Sequence, residues 1–278
     1  MTVSPDALAD RALAEALAPA VRRAGERIIT CRAAGLFVET KADASPVTEA
    51  DRQAEEIILA ALAQLVPGAP IIAEEEVAGG NIPEVGAEFL LVDALDGTRD
   101  FLKGGDDFTV NVGLVRDGVP ALGVVGAPAR ARLWAGIAGL GAFAVDAGGA
   151  WRPIHVRAAH AGPFDIIASR SHRTPETDAF IARFPGARIV SVGSSLKFCA
   201  VAEGAADFYP RLGPTSQWDT AAGDAVLRAA GGRVVTLDGE PLRYGPGNAP
   251  GAAAFLNPWF VAAGGMDPFA AGDAVVRA

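Results

Sequence analysis

The chain has 278 residues, half of them hydrophobic, with 21% charged. That mix buries a large core and excludes a disordered chain. With 24 Lys+Arg against 33 Asp+Glu, the net charge of −9 argues against binding a nucleic acid polymer by general electrostatics. The length allows about two domain-sized units. We expect an N-terminal α+β half over 1–150 and a C-terminal α/β half over 151–278.

Residues 4–33 read as an amphipathic helix with a Ser4-Pro5-Asp6 start. Pro19 is expected to break or kink it. This opening lacks the basic start and apolar run of a signal peptide, and no apolar run of about 20 residues is present to span a bilayer. A second helix is expected over 47–65, ended by Pro67-Gly68, then a strand over 70–73 running into Glu74-Glu75-Glu76. A loop to about 86 follows. Phe89–Asp93 reads as a buried strand ending in a carboxylate. Thr109–Val115, Ala121–Ala127, Arg132–Ile137 and Ala142–Val145 look like an antiparallel meander.

A new register is expected near 151. Asp165–Ser169, Arg188–Val192 and Val234–Thr236 read as strands. Thr174–Phe184, Leu196–Glu203 and Asp219–Ala230 read as helices. Cys31 and Cys199 form no disulfide framework and read as buried, inert thiols, which fits a reducing cytoplasm. His155, His160 and His172 lack zinc-ligand spacing.

The informative segment is Asp93-Ala94-Leu95-Asp96-Gly97-Thr98. On a tight turn, two carboxylates three residues apart can converge on one hard cation such as magnesium, with the Leu95 carbonyl as a further oxygen. Gly97 and Thr98 can open a helical turn whose N–H groups face an anion. Read alone, this is equally an ordinary solvated turn, Glu74–Glu76 a solvated run, and Asp219 a helix N-cap. Three acid clusters at strand ends or helix starts together look like a multi-metal phosphate site.

Asp93–Thr98 together with Trp218-Asp219-Thr220-Ala221-Ala222-Gly223 resembles the inositol monophosphatase-like, lithium-sensitive phosphatase superfamily. Lys41–Asp51 and Glu74-Glu75 also fit. Asp107–Val112, Ser169–His172, Gly193–Cys199 and Val201–Arg211 look closest to its CysQ-type branch, the 3'(2'),5'-bisphosphate nucleotidases. The resemblance implies a layered αβαβα sandwich and a magnesium-dependent phosphomonoesterase holding two or three ions. By motif position, Glu74, Asp93, the Leu95 carbonyl, Asp96 and Asp219 would be metal ligands. Asp51 and Thr98 would help activate water, Glu75 would lie near the metals, and Lys41 near the outermost metal's waters. Gly97 and Thr98 would hold the phosphoryl group; His172, Ser194, Lys197 and Arg211 would hold the nucleotide. The family usually has Pro where this chain has Ala94, which bears on the stiffness of the turn but removes no ligand.

The implied reaction, in sulfur assimilation, converts adenosine 3',5'-bisphosphate to AMP and phosphate, with the 5'-phosphosulfate analogue as a second substrate. Lys197 and Arg211 suit the second phosphate, though either also reads as a surface cation. An inositol or sugar monophosphatase and a non-catalytic nucleotide-binding regulator are the alternatives. The expected setting is cytoplasmic, with peripheral attachment to the inner membrane as a variant, and the chain a monomer or homodimer.

Overall fold

The computed structural model describes residues 3–35, 38–40, 46–168 and 174–270. Lys41, Ser169 and His172 lie outside them. Helix α1 (Pro5–Ala34) starts at Ser4, whose side chain accepts from the Ala7 amide. It continues through Pro19 as one helix, contrary to the expected break. Pro19 points to solvent, while Leu17, Ala18, Val21 and Ala24 on either side of it are buried. That packing offsets the roughly 3 kcal/mol that an interior proline costs.

A short hairpin, β1 (Val38–Thr40) and β2 (Pro46–Thr48), leads into α2 (Glu49–Leu65). The seven-stranded sheet follows the order β3-β4-β5-β6-β7-β8-β9. Its strands are β3 (Ile71–Ala73), β4 (Glu88–Asp96), β5 (Thr109–Arg116), β6 (Val119–Ala127), β7 (Arg132–Ile137), β8 (Gly141–Val145) and β9 (Trp151–Ile154). β3 runs parallel to β4, and the rest form the expected meander. Two short helices interrupt it, α3 (Glu74–Ala78) and α4 (Thr98–Leu102). The Glu74–Glu76 run is therefore the first turn of a helix, where acidic side chains complement the helix dipole.

The second sheet has the order β11-β10-β12-β14-β13. Its strands are β10 (Asp165–Ala168), β11 (Arg188–Ser191), β12 (Phe208–Arg211), β13 (Arg233–Thr236) and β14 (Phe260–Ala263). The helices of this half are α5 (Pro175–Ile181), α6 (Leu196–Ala202) and α7 (Ala221–Ala229).

Three buried clusters define the layers. Leu17, Val21 and Ile28 of α1 and Ile58 and Leu62 of α2 pack on Leu90, Val92, Val110 and Val124 of the first sheet. The opposite face of that sheet, with Leu91, Val125 and Trp134, meets Phe198 of α6 and Val226 of α7. The same cluster continues into Tyr209 and Phe260 of the second sheet. Phe180 and Phe184 cover that sheet's outer face against Phe164, Ile166 and Phe208. The sequence of layers is αβαβα. Among the described residues no helix is long and apolar enough to cross a membrane.

Glycines set the approach of α7. Gly113, Gly123 and Gly136 are cross-strand partners in one row. A Cβ at Gly123 would lie 2.2 Å from the Ala222 carbonyl oxygen, and one at Gly136 would lie 2.4 Å from the Val226 Cα. The row is a groove in which the α7 backbone rests, and Asp219 sits just ahead of that helix. Gly123→Ala must push backbone against backbone and should cost about 1–3 kcal/mol, a thermal shift of about 2–10 °C. Gly86→Ala, with no atom within 4 Å of its Cβ, is the control. Equal melting of the two variants would contradict this account of the groove.

Candidate active site

The site is built around a bulge in β4. Asp93 pairs with Asn111 and Asp96 with Thr109 across to β5, so three steps on β4 match two on its neighbour. In a regular strand, residues three apart face opposite sides. The extra residue cancels that alternation. Ala94 and Leu95 both join the cluster under α1 and α2, leaving Asp93 and Asp96 on the α6–α7 side. The expected tight turn is thus a bulged strand. Ala94 lies within the bulge, a place where strands accept proline. Asp93 is buried, and its Oδ1 accepts the Leu95 N–H at 3.0 Å.

Gly97 follows with φ 96° and ψ 26°, and a Cβ on it would lie 2.7 Å from the Asp107 carbonyl oxygen. Only glycine fits this left-handed, crowded position. It releases the chain into α4, whose first residue is Thr98. The Thr98 hydroxyl lies 3.2 Å from Asp51 Oδ1 and 3.1 Å from the Leu95 carbonyl oxygen, both acceptors. Asp51 is itself held by the capping box of α2: its Oδ2 accepts the Thr48 amide at 2.8 Å and the Thr48 hydroxyl at 2.6 Å.

Carboxylate oxygens of Glu74, Asp93 and Asp219 lie within 4.8 Å of one another. Glu74 comes from the start of α3 and Asp219 from the turn before α7. Asp219 is not the N-cap, a place taken by Thr220; its Oδ2 accepts the Ser216 amide at 2.9 Å. Burial pushes Asp93 and Asp219 well above the usual carboxylate range, and each is pushed further by its acidic neighbours. Burial also raises Asp96, while Lys197 and the Ser195 amide pull it back. An all-oxygen set of crowded carboxylates suits a hard divalent cation.

The cleft containing these groups has a volume of about 600 Å³, and Lys197 and Arg211 also line it. Lys197 is buried, with its Nζ 5.2 Å from the centre of the Tyr209 ring. Burial lowers it to about 8, against the pull of Asp96. Arg211 donates to the Pro214 carbonyl, and its Nε is buried with no partner among the described residues. Ser194 lines the same cleft in a left-handed conformation, φ 48°.

Several groups at the site were not singled out from the sequence. Asp107 Oδ2 accepts the Gly193 amide at 2.9 Å and Arg130 binds its Oδ1, which anchors the 193–195 loop. Ser195 Oγ donates to the Asp219 carbonyl at 2.7 Å and lies 3.3 Å from Asp96 Oδ2. Glu55 accepts the amides of Glu75 and Glu76; burial, with Glu75 and Glu74 nearby, pushes it to about 7 against those two bonds. Cys199 is buried as expected, whereas Cys31 is only half-buried beside Gln53.

Residues 9–263 match the Inositol monophosphatase family. The 3'(2'),5'-bisphosphate nucleotidase CysQ of Escherichia coli O157:H7 is 42% identical over 241 residues, which is 86% of this chain and 94% of that protein. The protein of the same name from Buchnera aphidicola is 37% identical over 254 residues, 91% of this chain and 94% of its own. Among solved structures, CysQ from Bacteroides thetaiotaomicron, a bacterial member of the inositol monophosphatase family, has a TM-score of 0.76 at 36% identity. It covers 92% of this chain and 98% of its own.

The crowding has a measurable consequence. A carboxyl raised in the folded state contributes stability that is present below its unfolded value and is lost as pH rises through the folded value. Asp219→Asn keeps the acceptor for Ser216 and removes one charge from the cluster. In chelator at pH 8 it should melt about 2–4 °C above the native chain, for a gain of about 1 kcal/mol. The gap should narrow as the pH falls and Asp219 takes up a proton. A variant that melts lower at pH 8 would show that the carboxylate is not strained.

Proposed function

The chain belongs to the inositol monophosphatase family, and from that premise we propose that it is a magnesium-dependent 3'(2'),5'-bisphosphate nucleotidase that converts adenosine 3',5'-bisphosphate to AMP and phosphate. One observation carries the reading: a single cleft joins the Glu74–Asp93–Asp219 cluster to the cations Lys197 and Arg211, with Arg99 also on its wall. An inositol monophosphate has no second phosphate for those cations to hold. The names of the relatives support the same substrate class.

Glu74, Asp93, Asp96, Asp219 and the Leu95 carbonyl would hold two or three magnesium ions. Magnesium, when bound there, supplies Lewis-acid chemistry towards the phosphoryl group and makes water a better nucleophile. The chain's own groups do the rest. Thr98 points its hydroxyl proton at Asp51 Oδ1, with the Leu95 carbonyl as a second acceptor, so its lone pair accepts a proton from the attacking water as its own passes to Asp51. Asp51, fixed by Thr48, is the end point for that proton. The N–H groups of Gly97 and Thr98 take phosphoryl oxygens, and Glu75, next to Glu74 on α3, would lie near the metals. By the resemblance, Ser194 and His172 would contact the nucleotide, Lys197 and Arg211 would bind the phosphate that stays, and Lys41 would act near the outermost metal. In this reading residues 1–150 carry most metal ligands, and residues 151–278 carry the nucleotide groups and Asp219. The setting is cytoplasmic, and the chain acts as a monomer or homodimer.

Arg211→Ala tests the substrate assignment. A hydrogen bond to a charged group contributes about 1.5–3 kcal/mol, so kcat/KM for adenosine 3',5'-bisphosphate should fall roughly 10- to 150-fold. With a substrate bearing only the scissile phosphate it should change little. An equal loss on both substrates, or native turnover of inositol phosphate matching that of the bisphosphate, would favour a monophosphatase instead.

A further inference from the structure

We propose that Glu55 is a positioning residue for the metal site: it acts as the N-terminal cap of α3 from a different helix and so fixes where Glu74 stands. The inference rests on the metal-dependent reading above.

The first amides of any α-helix have no partner within the helix. Ordinarily the preceding side chain satisfies one of them. At α3 that residue is Ala73, which has no group to offer. Glu55 replaces it. Its Oε2 accepts the Glu75 N–H at 3.0 Å and its Oε1 accepts the Glu76 N–H at 3.1 Å. The side chain is 3% exposed, so water does not compete. A buried carboxylate with both oxygens on successive amides sets the start of α3 in both position and direction, and Glu74 is its first residue.

Glu55 also lies one helical turn beyond Asp51 on the same buried face of α2. Asp51 reaches Thr98 and Glu55 reaches α3. One rigid helix thus spaces the group that takes the water's proton against the strand end that delivers Glu74 to Asp93 and Asp219. Changes to groups that orient metal ligands from behind cost 10- to 100-fold in metal affinity or activity as a rule.

The test is magnesium binding to the full chain by isothermal titration calorimetry, with kinetics alongside. Glu55→Ala should weaken magnesium binding about 10- to 100-fold and raise the magnesium needed for half-maximal turnover. Glu55→Gln keeps one carbonyl oxygen for one amide and should fall between the two; it also carries the test if the alanine variant does not fold. Asp10→Asn, which loosens the distant Asp10–Arg116 pair, controls for general destabilisation. Native affinity in the Glu55 variants, or an equal loss in Asp10→Asn, would overturn the proposal. If the unsubstituted chain binds no magnesium, the metal-dependent reading itself fails, which is a separate result.

Discussion

Bringing several carboxylates together out of water is the constraint on which this site depends. Glu74, Asp93 and Asp219 place oxygens within 4.8 Å of one another, with Asp93 almost wholly buried. Asp93 and Asp219 are disfavoured as ions by burial and by their neighbours. Such a group persists only if the surrounding backbone over-determines its place. The bulge in β4 commits Asp93 and Asp96 to one side, the α2 helix sets Glu74 through α3, and the glycine groove seats α7 just beyond Asp219.

The same architecture divides the labour of the cleft. The first sheet and its edges, with Asp219 from the turn before α7, supply negative charge. α6 and β12 supply the cations Lys197 and Arg211. Ser195 joins the two sets, since its hydroxyl touches the Asp219 backbone and approaches Asp96 while its helix carries Lys197. Asp107 holds the loop before it. The acidic groups and the cations of the cleft are therefore fastened to one another within a few residues.

Much of this was legible in the residues. The meander, both long helices and the family motifs announce the layered fold, because periodicity and turn chemistry there agree with the tertiary packing. What was hidden depended on long-range partners. Asp93 and Asp96, at odd spacing, suggest a turn, since a bulge shows only when β5 is in register. Pro19 suggests a break, because the packing that keeps α1 whole comes from α2 and the sheet. β12 contains Pro210, which argues against a strand, yet its pairing with β10 is confined to Phe208. Glu55 reads as one more polar residue of a helix; its spacing from Asp51 was the available signal, and its partners lie about 20 residues further on.

The central claim is that the crowded carboxylates are balanced by a bound divalent cation. The most direct measurement is the melting temperature of the full chain in chelator and in rising magnesium. A ligand that binds only the folded state stabilises it by about 2.7 kcal/mol at 100 times its dissociation constant. The account predicts a melting temperature that climbs with magnesium and not with sodium at matched ionic strength. The same melting temperature in chelator and in saturating magnesium would contradict it.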